Sequence, residues 1–146
     1  VIGTQEDKDR LLQKTEKLIK NHPKIRNLPR QESLLPYYAT IDIICLPSYR
    51  EGFPQTSLEA QAMELPVVAT DIMGTREAVV NNQTGFLVES KNSDALIEPL
   101  KKLILNPALR KEIGQKGRKR VDQMFDSKDM IRVVVKYRLK LLSAKR

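Results

Sequence analysis

One stretch constrains this chain more than any other. Ile41-Asp42-Ile43-Ile44-Cys45-Leu46 is nearly all apolar, short, and followed at once by Pro47-Ser48. Such a run reads as a parallel strand covered on both faces, which would also bury Cys45. Next come Tyr49-Arg50-Glu51-Gly52-Phe53-Pro54-Gln55, a loop with glycine and proline, and from Thr56 the pattern turns helical. Open α/β sheets bind ligands where loops leave the C-terminal ends of their strands, and this junction is such a place.

The junction carries two acids, Glu51 and Glu59, eight positions apart. An ionised carboxylate only accepts hydrogen bonds, so it can take two hydroxyl donors at once, as vicinal sugar hydroxyls offer. The first amides of a helix lack intrahelical partners and sit at the positive end of its dipole, which suits a diphosphate. Gly52 lets the backbone approach a ligand closely. One acid on either side of a diphosphate describes a nucleotide-sugar site. The local alternative is a capping box, with Thr56 as N-cap and Glu59 reaching back to its amide, and Glu51 as a solvated loop acid.

The wider pattern separates these readings. Glu51-Gly52-Phe53-Pro54, Glu59-Ala60, Leu65-Pro66-Val67-Val68-Ala69-Thr70, Gly74, Glu77 and Thr84-Gly85-Phe86-Leu87-Val88 follow in order. Together they resemble the retaining glycosyltransferases of family 4, from about residue 25 to the end of the chain. The resemblance implies the C-terminal half of a GT-B fold: a Rossmann-like, doubly wound parallel sheet with helices on both faces, followed by C-terminal helices. It implies that Glu59 binds the ribose and that Glu51, the catalytic candidate, contacts the transferred sugar. Gly52, Phe53 and Pro54 would shape the loop beside that sugar, and Thr56 and Ser57 would meet the diphosphate. The donor would be a UDP-sugar by first choice, with no cofactor and no metal. An acceptor-binding domain and a first strand would precede residue 1, so residues 1–146 form one donor-binding domain that binds nucleotide weakly and transfers nothing alone. The phosphate-neutralising basic pair would lie there too. A saccharide or lipid-linked acceptor in polysaccharide biosynthesis, at the inner face of the membrane, fits the same resemblance.

The chain departs from the family in places. Glu64 stands where a glycine usually closes the helix, at a cost of about 1 kcal/mol if the left-handed conformation is kept. Gln61 replaces a usual Met, and Met73 the first of two glycines. By resemblance Arg30 faces the base, although an exposed arginine is the simpler reading.

Composition excludes several classes. The 146 residues are long enough for a core, and no apolar run approaches the ~20 residues of a membrane span. A lone cysteine forms no disulfide framework and fits a reducing cytoplasm. The net charge is +8, with the excess in residues 108–146, which hold 13 Lys/Arg against 4 Asp/Glu. Such helices can meet anionic lipid, or simply be solvated. Nucleic acid is disfavoured, because four Tyr and three Phe form no aromatic–basic stripe. A lone His22 gives neither triad nor metal site. A non-catalytic nucleotide-binding module and a sugar-nucleotide epimerase of the same fold are the alternatives to a transferase.

Helices are expected over residues 6–20 and 33–39, with a short strand over 25–28 between them. Another helix from Thr56 would bury Leu58, Ala62 and Met63. After the strand 67–70, residues 71–74 would form a loop and Glu77 would open a helix. A strand follows at 86–88. Ser93 would cap a helix that Pro99 kinks or delays. Beyond Pro107 a helix would turn Leu109, Ile113, Val121 and Met124 inward, and a last helix would use Met130, Ile131, Val134, Leu141 and Leu142.

Overall fold

The structure is a computed structural model describing residues 1–2, 12–126 and 135. These divide into two compact units, 1–37 and 38–146. The expected last helix and the first half of the expected 6–20 helix lie outside the described residues.

In the first unit, Ile2 bridges Leu28 in parallel, and Leu28 N–H donates to the Val1 carbonyl at 2.9 Å. The expected strand at 25–28 is reduced to that bridge. Helix α1 (Gln13–Asn21) carries no buried residue. His22 and Arg30 are exposed. Helix α2 (Leu35–Tyr38) leads into the second unit.

That unit is built on a parallel sheet ordered β1-β2-β3: β1 (Ile44–Leu46), β2 (Val67–Thr70) and β3 (Gly85–Val88). Ile44 pairs with Val67, and Val67 with Gly85. Successive strand residues point to opposite faces, so the complete burial of β2 requires cover on both. Val68, Phe86, Leu103 and Ile113 form the core on one side, with Leu100 of α5 (Ile97–Leu105) and Leu109 of α6 (Pro107–Met124) against it. Strand β1 is the exception to the expectation. Among the described residues it is the edge of this sheet, only half-buried, and Cys45 is exposed rather than inside.

Helix α3 (Gln55–Ala62) buries Ser57, Ala60 and Gln61. Leu58 and Ala62 are only half-buried and Met63 is exposed, so the apolar reading of this helix picked the wrong face. The cause is α6, which packs on α3 through Gly114 and Gly117. A Cβ on Gly114 would lie 1.9 Å from the Glu64 carbonyl oxygen, and one on Gly117 3.0 Å from Gln61 Cγ. At such range only small groups fit, and the amide of Gln61 turns inward to donate to the carbonyls of Ser57 (3.0 Å) and Ala78 (2.9 Å). Glu64 keeps the left-handed backbone, φ 58°, that a glycine would have adopted freely.

Helix α6 also ends its neighbours. The last carbonyls of a helix lack amide partners and sit at its negative pole. Arg118 donates to the Ala62 carbonyl of α3 at 2.7 Å. Arg120 donates to the Glu77 carbonyl at 2.8 Å, in α4 (Met73–Ala78). Arg110 donates to Leu103 and Ile104 of α5 at 2.8 and 3.1 Å. Part of the basic excess is therefore committed to carbonyls inside the fold rather than only solvated. Met124, expected inward, is exposed, while Ile113 is buried.

Several local expectations shift. Helix α4 starts at Met73, so Glu77 lies at its end rather than its start. Ser93 makes no side-chain cap; Asn92 Oδ1 accepts from Ala95 N–H instead. A single 3-10 turn over 94–96 precedes α5, whose third residue is Pro99, in the first turn where its missing N–H costs nothing. Asn106 caps α6 by accepting from Leu109 N–H at 3.0 Å.

The helix contact gives an opposed pair of outcomes. Gly114→Ala is expected to destabilise by about 2 kcal/mol or more, because its Cβ meets backbone. Glu64→Gly is expected to stabilise by about 1 kcal/mol, by relieving the left-handed residue. Urea unfolding midpoints of the two variants check both signs.

Candidate functional site

The loop that leaves β1 carries Glu51, and α3 carries Glu59 as its fifth residue. Pro54 is the helix N-cap, with no side-chain capping bond. The capping box is therefore not formed: the helix begins before Thr56, and Glu59 lies in the second turn, too far along to reach back. Its carboxylate has another partner. The buried phenol of Tyr38 donates to Glu59 Oε2 at 2.9 Å.

Glu51 is held in the same manner. Ser48 Oγ donates to Glu51 Oε1 at 2.6 Å. The Ser48 carbonyl in turn accepts from the hydroxyl of Thr70, the last residue of β2. Each acid thus has one oxygen tied to a protein hydroxyl, and neither Glu51 Oε2 nor Glu59 Oε1 has a partner among the described residues.

The loop rests on a glycine from the next strand's exit. A Cβ on Gly74 would lie 2.2 Å from the Gly52 carbonyl oxygen and 2.8 Å from that of Glu51. Met73 beside it is 80 % exposed, so its side chain leaves this contact alone. Gly52 is the reverse case: nothing lies within 4 Å of its Cβ position, and its φ is outside the left-handed region. Neither packing nor backbone conformation demands glycine at that position. Phe53 is exposed, with its ring 5.7 Å from that of Phe125, over which the Arg120 guanidinium stacks at 4.9 Å. Pro54 is buried and Thr56 half-buried. Ser57 is buried, its hydroxyl without a hydrogen-bond partner among the described residues and its N–H donating to the Pro54 carbonyl at 2.9 Å.

The sequence reading missed Ser48, Thr70 and Tyr38. Ser48 had a local signal, being the first hydroxyl after the strand. Tyr38 had none, because 21 residues separate it from Glu59. Burial first, then the hydrogen bond and charge of Glu59, push the Tyr38 phenol far above its ordinary value; the Thr56 side chain acts the other way.

A model of the family described as glycosyl transferases group 1 matches residues 1–120. The chain belongs to that family. Its likeness to the capsular polysaccharide biosynthesis glycosyltransferase CapM of Staphylococcus aureus is 35 % identity over 127 residues, covering 87 % of this chain and 33 % of CapM. Among solved structures, sucrose-phosphate synthase from Thermosynechococcus elongatus matches with TM-score 0.82 at 26 % identity, over 90 % of this chain and 34 % of that one. HepE of Anabaena, solved with UDP-glucose, shares the fold with TM-score 0.79 at 20 % identity, over 98 % of this chain and 40 % of HepE. The chain spans about one third of the length of the first curated relatives it matches. The α/β fold with a parallel sheet is that of GT-B glycosyltransferases.

Two outcomes follow from the geometry. Gly74→Ala is expected to cost about 1–3 kcal/mol and to speed amide exchange in residues 51–54, leaving β3 unchanged; hydrogen-exchange mass spectrometry reads both. Tyr38 has a pH signature. An unfolded tyrosine ionises near about pH 10, so above that pH the unfolded chain sheds a proton that the folded chain keeps. Stability contributed by this group is then lost as pH rises toward the folded value. Tyr38→Phe is expected to flatten the fall in unfolding midpoint between about pH 8 and about pH 11.

Proposed function

We propose that this chain is the nucleotide-sugar donor-binding half of a retaining glycosyltransferase of family 4. The observation that carries the reading is the pair of half-satisfied carboxylates. Glu51 and Glu59 each keep one oxygen on a protein hydroxyl and offer the other at one strand–loop–helix junction. Acids meant only for solubility need no such tethers. Gly52 supports the same reading, since the fold makes no use of its missing side chain.

In this assignment Glu59 accepts from the ribose hydroxyls and Glu51 from hydroxyls of the transferred sugar. Gly52 and Phe53 bring backbone amides beside that sugar, and Pro54 starts the helix beneath it. Thr56 and the first amides of α3 face the diphosphate, where the helix dipole favours negative charge. The sequence places Ser57 at the diphosphate too, but its side chain is fully buried, and this assignment leaves it out of contact with that group. Breaking the sugar–diphosphate bond leaves negative charge on the diphosphate and positive charge on the sugar. Preorganised donors and carboxylates lower that barrier by meeting the charges where they develop. Transfer needs no resident metal in this scheme, and the acceptor hydroxyl takes the sugar with configuration retained. HepE was solved with UDP-glucose, which favours a UDP-sugar as donor. Likeness to CapM favours a saccharide or lipid-linked acceptor in polysaccharide biosynthesis. No helix among the described residues is long and apolar enough to cross a membrane. Work at the cytoplasmic membrane face would use the solvated lysines of α6, Lys111 and Lys119.

Calorimetric titration of the chain with UDP, GDP and ADP tests the assignment. One nucleotide is expected to bind with Kd on the order of 0.1–1 mM, and Glu59→Gln to weaken it roughly tenfold or more, as expected for losing hydrogen bonds to a charged group. Equal binding by the wild type and Glu59→Gln would remove Glu59 from the site. Sugar transfer by the chain alone is expected to be undetectable, and measured turnover would overturn the donor-half reading.

A further inference from the structure

We propose that Tyr38 is the positioning residue for the ribose-binding carboxylate, aiming Glu59 so that the nucleotide's 2′ and 3′ hydroxyls meet it in one orientation. The inference rests on the assignment of Glu59 to the ribose and adds how that acid is held.

Glu59 is exposed, and a free glutamate on a helix surface samples many rotamers. Holding a diol by both hydroxyls requires the carboxylate plane to be fixed. Tyr38 supplies the fixed point. Its side chain is 3 % exposed, so the ring is locked by packing, and its hydroxyl sits 2.9 Å from Glu59 Oε2. A phenol has one proton to give. That proton goes to Glu59 Oε2, since the carboxylate can only accept. The Tyr38–Glu59 bond therefore has one polarity and ends on a carboxylate whose Oε1 has no partner among the described residues. Tyr37, next in sequence, is used differently: its hydroxyl donates to Gln31 Oε1 at 2.8 Å.

A merely structural tyrosine would change stability and leave ribose recognition alone. A positioning tyrosine changes discrimination between a ribonucleotide and its 2′-deoxy counterpart. The experiment titrates the full chain with whichever of UDP, GDP and ADP binds most tightly, and with the 2′-deoxy form of the same nucleotide. The wild type is expected to prefer the ribose form by about tenfold, a common consequence of leaving a buried or fixed polar group unpaired. Glu59→Gln is expected to bring the ratio close to one. Tyr38→Phe, which keeps the ring, is expected to lower the ratio at least about threefold while the 2′-deoxy affinity stays within about twofold of wild type. A wild-type ratio in Tyr38→Phe, alongside a lost ratio in Glu59→Gln, overturns the role of Tyr38 and leaves the site intact. No binding, or no ribose preference in the wild type, overturns the underlying assignment instead. Should Tyr38→Phe fail to fold, Tyr38→Met, an adaptable apolar replacement that also lacks the hydroxyl, must lower the same ratio. An unchanged ratio there also overturns the proposal.

Discussion

The second unit depends on how α6 meets the ends of three other helices. Every helix finishes with carbonyls that its own amides cannot reach. Arg118, Arg120 and Arg110 bring donors to the ends of α3, α4 and α5. Those contacts require α6 to lie close, and Gly114 and Gly117 make room for it. Charge and shape act together here: arginine reaches far and offers several donors, while glycine lets the backbones meet. The same closeness explains why α3 buries Ser57, Ala60 and Gln61 rather than its larger apolar residues.

The candidate site is supported from below by this arrangement. The helix that carries Glu59 is fixed along its buried side, so its exposed side is held steady. The loop that carries Glu51 rests on Gly74 and is tied to β2 through Ser48 and Thr70. Phe53 joins the loop to Phe125, just beyond α6, and Arg120 stacks on that same ring while it reaches α4. One side chain thus serves both a helix end and the loop brace. A site built on such elements keeps its acids in place before any ligand arrives, which lowers the ordering cost of binding. Membership of the glycosyl transferases group 1 family gives that preorganisation a chemical purpose.

The position of the two acids was legible in the sequence because it is a local matter. Strand, loop and helix follow within a few residues, and Pro54 and Gly52 punctuate them. The left-handed Glu64 and the delayed start of the helix before Pro99 were legible for the same reason, since each is dictated by its own backbone. Partners across the fold were not. Glu59 and Thr56 sit at capping-box spacing, yet the helix starts earlier and Tyr38, far back in the chain, takes the carboxylate. Cys45 lies in an apolar run, yet it is exposed, on a strand at the edge of the sheet among the described residues.

The sequence by itself determined the order of elements, the parallel sheet and the two acids at its C-terminal edge, because periodicity and turn residues act over short range. Tertiary structure alone decided which face of α3 is buried, which arginines are structural and which hydroxyl holds each acid. Those choices turn on distances of a few ångströms between segments far apart in the chain, and no local pattern carries that information.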